Sequence, residues 1–266
     1  MRVALGLEYN GCGFNGWQSQ PGGATVQDAL EHALSAIASE KIRVHAAGRT
    51  DAGVHASMQV VHFDTMARRP ITAWVRGVNS YLPSAVSVLW AEAVPESFHA
   101  RFSACGRSYR YVLLNHPVRP ALLHGRVGWC HNPLHIESMR EASRYLLGVH
   151  DFSAFRAAEC QAKSAIKHLS RLSIRQQNHL IVFDLQADAF LHHMVRNIVG
   201  CLVQIGKGRV SADWMQQVLC SRDRSQAAAT FSPDGLYLSG VTYDTCWDSS
   251  GVPQAAIWRA PDMLVI

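Results

Sequence analysis

The spacing of apolar residues predicts alternating strands and helices along most of the chain. Apolar side chains at every second position from Val3 to Tyr9 predict a half-buried strand over 3–9. Helical spacing begins after Thr25, which we expect to cap the first helix because Asp28 stands three residues later. The same patterns predict further strands at 41–46, 58–64, 85–94, 107–114, 166–176, 179–188 and 236–244, and further helices at 71–81, 134–147, 189–205 and 211–220.

This order of elements is typical of the α+β class, with more antiparallel hairpin connections than parallel crossovers. Pro95 and the irregular stretch up to Gly106 separate two sets of elements. We therefore expect two domains, 1–98 and 106–266.

Composition indicates an ordinary globular protein of 266 residues, with 25 Lys and Arg against 20 Asp and Glu. The sequence contains no run of 18 uncharged apolar residues, and its start becomes polar and glycine-rich early, so we expect neither secretion nor a membrane span. The seven cysteines are scattered and never spaced C-x-x-C, which excludes a zinc ribbon and favours a reducing cytoplasm.

The net charge of +5 is unevenly distributed. No acidic residue lies between Glu96 and Glu137, and another acid-free tract lies between Glu159 and Asp184. Basic residues interleaved with aromatic ones predict a polyanionic partner such as a nucleic acid, with a solvated basic face as the alternative. The candidates for phosphate contacts are Arg101, Arg107, Arg110, Arg119, Arg126, Arg156, Lys163, Lys167 and Arg171.

The segment Gly48–His55, GRTDAGVH, joins two predicted strands and presents one carboxylate, Asp51. Glycine at both ends lets the backbone adopt conformations that other residues avoid, so rigid flanks could hold Asp51 on an exposed loop. Catalytic carboxylates are often presented in this way. An Asx-turn without catalytic role is the alternative.

Arg196 is the only formal charge among the 18 residues between Asp188 and Lys207, in a predicted helix that is apolar around much of its circumference. A guanidinium buried there needs a carboxylate partner. We expect that partner to be Asp51, and Asp184 is the alternative.

Several segments together resemble the tRNA pseudouridine synthase A family. Besides the Asp51 segment, the matching stretches are Tyr9 to Gln18 (Y-x-G-x-x-F-x-G-W-Q), Arg107 to Tyr111 (R-x-Y-R-Y), Phe152 to Arg156 (F-x-x-F-R), Phe190 to Gly200 (F-L-x-H-M-V-R-N-I-V-G) and Gly235 to Leu238. They span nearly the whole chain in the family's order. Asn10 departs from the family, which more often has Asp there.

The resemblance implies isomerisation of uridine to pseudouridine at positions 38, 39 and 40 of the tRNA anticodon arm. It implies a pseudouridine synthase fold, with two domains of antiparallel or mixed sheets and flanking helices around a basic cleft, and a homodimer. The reaction needs no cofactor and no metal, and the sequence has no phosphate loop or dinucleotide fingerprint.

Residue roles follow from the same resemblance. Asp51 would attack the uracil ring, attack the ribose or remove a ribose proton. Tyr109 would stack on uracil and assist a late proton transfer, and Arg196 would pair with Asp51. Arg49 would fill the gap left by the flipped base. Leu236 would form part of the apolar wall around uracil; the alternative is that it packs in the hydrophobic core.

Further substrate contacts are expected from Arg107, Arg110, Arg156 and Lys163. His192 and His193, adjacent on a predicted helix, would point about 100° apart and could not chelate one metal ion. His55 would order the Asp51 loop.

Two other functions remain open at this point. A non-catalytic RNA-binding protein could keep the basic tracts without the chemistry, although Asp51, Tyr109 and Arg196 are all present. A nucleoside or glycoside hydrolase would share the bond-breaking half of the reaction, but such enzymes usually use two carboxylates, and these surroundings are poor in acids.

Overall fold

The computed structural model describes residues 1–244 and the backbone of residues 257–259, so Cys246 lies outside the described residues. The chain divides into two compact units. The first contains Met1–Arg107 and the segment that begins at Tyr237, and the second contains Ser108–Leu236. The predicted domain ranges, by contrast, are each continuous in sequence, and they stay a prediction.

The elements alternate between strands and short helices. The strands are β1 (Arg2–Tyr9), β2 (His45–Ala46), β3 (His55–Asp64), β4 (Val86–Val94), β5 (Ala104–Asn115), β6 (Gly128–Cys130), β7 (Gly148–Asp151), β8 (Ile166–Gln177), β9 (Leu180–Ala187), β10 (Leu236–Tyr243) and β11 (Ile257–Arg259). The helices are α1 (Val26–Ala38), α2 (Val78–Tyr81), α3 (Ile136–Arg144), α4 (Met194–Gly206) and α5 (Trp214–Ser221). This mixture confirms the α+β prediction.

In the first unit, the strands lie in the order β4, β1, β3, β10. β1 runs antiparallel to both β4 and β3, whereas β10 runs parallel to β3 through the pairs Tyr237 with His55 and Leu238 with Ala56. β2 adds to β3, and β11 adds to β10, both antiparallel. The parallel pairing explains why the chain from Tyr237 belongs with residues far from it in sequence.

β1 is buried on both faces, so the prediction of a half-buried strand was wrong. Leu5 and Leu7 are fully buried on one face, as their alternation indicated. On the other face, Ala4 packs with Val60 and Phe98 in the hydrophobic core. Ala4 and Gly6 lie on that face and are buried, but such small residues give little apolar signal in the sequence.

Helix α1 forms as predicted. The Thr25 hydroxyl accepts a hydrogen bond from the Asp28 backbone N–H at 3.2 Å, which satisfies one of the free donors at the start of the helix. Leu30, Ala33 and Leu34 face the core and are fully buried. The helix stops where Ser39 adopts a left-handed conformation, with φ of 58°.

In the second unit, the strands lie in the order β5, β9, β8, β7, and β6 pairs in parallel with β5. The β8–β9 and β7–β8 pairs are antiparallel. Helix α3 packs against α4 and β8, and helix α4 is buried along most of its length. This packing fixes the position of the first turn of α4, which carries Arg196.

Several predicted boundaries were wrong. The helix predicted at 189–205 begins only at Met194, because His193 has a φ of 63° that no right-handed helix accommodates. The helix predicted at 71–81 is a π-helical turn, Ala73–Gly77, followed by α2. Of the strand predicted at 41–46, only β2 (His45–Ala46) forms, and the apolar spacing did not predict β6, β7 or β11.

Candidate active site

The Asp51 loop follows β2 and leads directly into β3, and the glycine-rich segment after β1 packs against it. The backbone N–H of Trp17 donates to the Thr50 carbonyl at 3.0 Å. Gly16 has a φ of +85°, and a Cβ placed on it would lie 2.7 Å from the Thr50 oxygen. Trp17 itself is buried. Two segments some 35 residues apart in sequence therefore form one rigid structure around Asp51.

A buried chain of polar side chains holds the residue before Asp51. The hydroxyl groups of Tyr9 and Thr50 lie 2.8 Å apart, and burial raises the pKa of Tyr9 to about 12. The Gln59 amide, also fully buried, donates to the Gly48 carbonyl at 2.6 Å. Because each buried polar group has a partner, this network stabilises one loop conformation.

The far end of the loop is a tight turn. The Val54 backbone N–H donates to the Asp51 carbonyl at 3.1 Å, and Gly53 has a φ of +76°. Of the two glycines that flank the loop, only Gly53 uses the conformational freedom we expected of both. Gly48 instead contributes its backbone groups to the Gln59 side chain.

His55, at the end of the loop, is held by two contacts, and its ordering of the loop stays a prediction. Its Nδ1 accepts a hydrogen bond from the Gly11 backbone N–H at 2.9 Å, and its ring stacks on Tyr237 with the ring centres 4.6 Å apart. Nδ1 is therefore unprotonated in this arrangement. Within this frame, Asp51 is partly exposed and Arg49 is exposed. The loop thus presents a carboxylate and a cation two residues apart on a buried support.

The second unit carries Tyr109 and Arg196 on different elements. Tyr109 lies on β5, partly exposed, with its ring 5.0 Å from Phe190 in an edge-to-face arrangement. Arg196 lies in the first turn of α4, and its Nε donates to the Phe231 carbonyl at 2.8 Å. Phe190 and Phe231 thus fix the positions of two predicted site residues, and neither was predicted from the sequence.

Asp184, the alternative partner for Arg196, binds two other arginines. Its Oδ1 accepts from Nε of Arg110 at 2.7 Å, and its Oδ2 accepts from Arg175 at 2.7 Å. With both oxygens engaged in this way, the pairing of Asp184 with Arg196 has no support. The pairing of Arg196 with Asp51 stays a prediction.

The other predicted substrate-binding residues differ in burial and in the groups that they contact. Arg107 donates to the carbonyls of Ala47, Arg101 and Ala104, and Arg156 donates to those of Cys160 and Ala162. Lys163 is exposed, whereas Leu236, the first residue of β10, is buried. Arg110 follows Tyr109 on β5 and so points to the opposite face of the strand.

Asn197 is a structural residue that sequence reasoning missed. It is fully buried, its amide donates to the Phe155 carbonyl at 2.8 Å, and its oxygen accepts from the Thr230 hydroxyl at 2.7 Å. The signal was present, because Asn directly follows Arg196 in the matching helix motif. Asn197 thereby holds the first turn of α4, including Arg196, against the Phe155 segment.

His192 and His193 do not lie in the helix, so the argument that they point about 100° apart was wrong, and so was the conclusion that they could not chelate one metal ion. Both precede the first residue of α4, and their ring centres lie 4.0 Å apart. The left-handed conformation of His193 brings the two rings together.

Comparison with known proteins shows the family. The model of the family "tRNA pseudouridine synthase" matches residues 7–103 and 142–244. Curated relatives include the tRNA pseudouridine synthase A of Dechloromonas aromatica, 63% identical over 93% of this chain and 94% of that protein. That of Chromobacterium violaceum is 63% identical over 91% and 93%, and that of Burkholderia cenocepacia is 52% identical over 98% and 99%.

The chain also aligns with a chain of a solved structure. A chain in the crystal structure of the archaeal box H/ACA sRNP Nop10–Cbf5 complex aligns with a TM-score of 0.37 at 8% identity, over 87% of this chain and 46% of that chain. The family model covers well over half of this chain, and the curated relatives cover nearly all of it. The chain belongs to the tRNA pseudouridine synthase family.

Proposed function

We propose that this protein isomerises uridine to pseudouridine in tRNA, at positions 38, 39 and 40 of the anticodon arm. The reaction breaks the N-glycosidic bond, turns the detached uracil and joins it again through carbon. The observation that carries the proposal is the Asp51 loop, in which one carboxylate stands on a buried frame made by the family's motif residues. Family membership supplies the substrate class.

Asp51 is the group we propose to perform the chemistry. It would add to the uracil ring, attack C1′ of the ribose or remove the C2′ proton, and the three routes stay open. Each route requires the carboxylate to be held at a fixed distance from the nucleotide, since prior positioning lowers the barrier to reaction. The hydrogen bonds of Thr50 and the tight turn at Gly53 support such positioning.

Tyr109 and Arg196 are proposed as further residues of the same reaction. The edge-to-face contact with Phe190 holds the Tyr109 ring, whose face would stack on uracil and whose hydroxyl would assist a late proton transfer. Arg196 would bring positive charge to the carboxylate, as predicted from its place in an apolar helix. The Phe231 carbonyl and the neighbouring Asn197 keep that side chain in place.

The substrate-binding set also remains a proposal. Arg49 and Lys163 are exposed and available to RNA, Arg49 as the group that replaces the flipped base in the stack. Arg107, Arg110 and Arg156 are partly buried and bind carbonyls or Asp184. Leu236 would contribute apolar surface.

The experiment is single-turnover conversion of tRNA by the wild-type protein and by Asp51→Asn. Pseudouridine is detected by chemical labelling, because the isomerisation leaves the mass of the RNA unchanged. We expect the variant to bind tRNA with nearly unchanged affinity and to form no pseudouridine. Asp244→Asn, which changes an exposed carboxylate in the same unit, is the matched control and should react like wild type.

The outcomes separate the three candidate functions. Pseudouridine formation by Asp51→Asn at near wild-type rate would refute the proposed role of the carboxylate. Release of free uracil by the wild-type protein would indicate a hydrolase. Tight tRNA binding by the wild-type protein with no product would indicate an RNA-binding protein.

We further propose that the protein is a cytoplasmic homodimer. The family resemblance supports the dimer, and the free thiols of Cys105, Cys130, Cys160, Cys201 and Cys220 support a reducing compartment. Among the described residues, no helix is both long enough and apolar enough to cross a membrane. Sedimentation equilibrium tests the dimer, and a monomer at micromolar concentration would contradict it.

A further inference from the structure

An exposed aromatic ring stands on the turn between β4 and β5, away from the Asp51 loop in sequence. Phe102 is 76% exposed, which is unusual for a phenylalanine. Its ring centre lies 4.3 Å from that of His99, and the planes are inclined by 34°. His45 continues the row, 5.4 Å from His99. We call His99, Phe102 and the adjoining Arg101 the Phe102 platform.

The platform is held rigidly. Nδ1 of His99 accepts hydrogen bonds from the backbone N–H groups of Arg101 and Phe102, at 3.1 and 3.3 Å. The turn is closed by Ser103, which donates from its backbone N–H to the His99 carbonyl and accepts from the His99 N–H. Phe102 therefore stays exposed because the turn is fixed, and it has no need to move before it binds a ligand.

The His99 ring is electrically neutral near pH 7. Burial lowers its pKa, and the positive charges of His45 and Arg2 lower it further. Its unprotonated Nδ1 also accepts the two backbone hydrogen bonds, which a protonated ring could not do. The two rings of the platform, His99 and Phe102, are therefore uncharged near pH 7, and its charge comes from Arg101.

Positive charge lies over the Phe102 ring itself. The guanidinium carbon of Arg101 is 5.5 Å from the centre of the Phe102 ring, and its side chain is exposed. Asp64, an acid on β3, has its carboxylate bound to Arg2. From Ser97 onward the sequence contains no acid for forty residues. A ligand that fits this surface has a flat aromatic face and an adjoining negative charge.

We propose that the Phe102 platform binds an unpaired base of the RNA substrate, with the base stacked on Phe102 and its phosphate facing Arg101. Every base has a π-face, so aromatic side chains beside cations are a recurrent way of holding single-stranded nucleotides. The proposal rests on the proposed function for the identity of the RNA. It adds a binding site that is separate from the reacting uridine.

The test measures the dissociation constant for tRNA with Phe102→Ala, Phe102→Leu and Phe102→Trp. We expect Phe102→Ala to raise it by about 5- to 150-fold, the range for loss of one base–aromatic stack. Phe102→Trp should keep wild-type affinity, and Phe102→Leu should fall between because it keeps apolar area without a π-face. Tyr81→Ala, which removes another exposed aromatic ring in the first unit, is the control and should bind as wild type.

The remaining readouts separate this proposal from others. Single-turnover conversion at saturating tRNA should be unchanged in Phe102→Ala, since the platform binds the substrate and does not react. Wild-type affinity in Phe102→Ala, or equal loss in Phe102→Ala and Phe102→Trp, would overturn the proposal. So would a changed sedimentation coefficient in Phe102→Ala, which would indicate a contact between two copies of the chain.

Failure of the proposed function gives a different result. If the wild-type protein formed no pseudouridine but its tRNA affinity still depended on an aromatic ring at position 102, the platform would stand and the catalytic proposal would fall. If the protein formed pseudouridine and its tRNA affinity did not depend on the residue at position 102, only the platform proposal would be refuted.

Discussion

Gly16 and Gly13 offer a matched pair of substitutions that test whether the glycine-rich segment positions Asp51. Both residues have a left-handed backbone, with φ of +85° and +83°. Replacing either by Ala costs about 1–2 kcal/mol of stability, because a Cβ is strained in that conformation. At Gly13, nothing lies within 4 Å of the added Cβ, so backbone strain is the whole effect.

At Gly16, the added Cβ also collides with the loop. It would lie 2.7 Å from the Thr50 carbonyl oxygen and 3.0 Å from the Asp51 carbonyl carbon, whereas ordinary contacts begin at 3.4 Å. Both obstacles are backbone atoms, so the loop itself must move by about 0.7 Å to restore a contact of 3.4 Å. Displacement of a catalytic group by about 1 Å can reduce the rate about 100-fold. We expect Gly16→Ala to slow conversion about 10- to 100-fold.

The assay compares single-turnover pseudouridine formation, tRNA affinity and urea-induced unfolding for wild type, Gly13→Ala and Gly16→Ala. Gly13→Ala should lose stability and keep its rate, whereas Gly16→Ala should lose both, with tRNA affinity little changed in either. Equal rates for the two variants would refute the idea that this segment fixes the position of Asp51.

Two further substitutions test other parts of the molecule. Arg196→Met should reduce turnover at least tenfold while tRNA affinity stays within about twofold. Arg209→Met, at an exposed arginine of the same unit, is the control. Unchanged turnover in Arg196→Met would show that Arg196 is not part of the site. Burial lowers the pKa of His62 from 6.5 to about 4; Arg2 and the protonated forms of His99 and His45 lower it further, and Asp64 opposes the shift. The unfolded chain therefore binds the proton first, and the free energy of unfolding should fall as the pH drops from about 6.5 to about 4. His62→Asn, whose side-chain oxygen can still accept from the Ala100 N–H, should flatten that dependence in urea titrations, and an unchanged slope would contradict the assignment.

Local patterns predicted elements whose signals lie close together in sequence. Helix α1 follows from the Thr25 cap and its apolar spacing, and the hairpin of β8 and β9 was predicted to within two residues. The start of α4 was missed by five residues because apolar spacing continues through Leu191 and carries no sign that His193 is left-handed. The parallel pairing of β10 with β3 joins residues more than 180 positions apart, and no local pattern encodes it.

The candidate site shows the same division. Asp51 could be singled out because a carboxylate between glycines is a local feature, and the N-terminal motif could be recognised by resemblance. That Trp17, Tyr9 and Gly11 are the residues that support the Asp51 loop could not be predicted, since each contact joins segments more than 30 residues apart. Gln59 gave a partial signal, as a polar residue between the apolar Met58 and Val60 in the middle of β3.

The acid-free tracts have two physical origins, which the sequence could not separate. Four of the nine predicted phosphate contacts are partly buried and bind groups of the protein itself: Arg107, Arg110, Arg156 and Lys167. Their cations are held mostly by backbone carbonyls, so these residues need few acids nearby. The other five are exposed: Arg101, Arg119, Arg126, Lys163 and Arg171. A scarcity of acids thus accompanies both internal support and an exposed basic surface, and exposure is what distinguishes the two. On this division, charge removal at the exposed residues should weaken RNA binding in a salt-dependent way. Charge removal at the partly buried residues should instead lower the stability of the protein first.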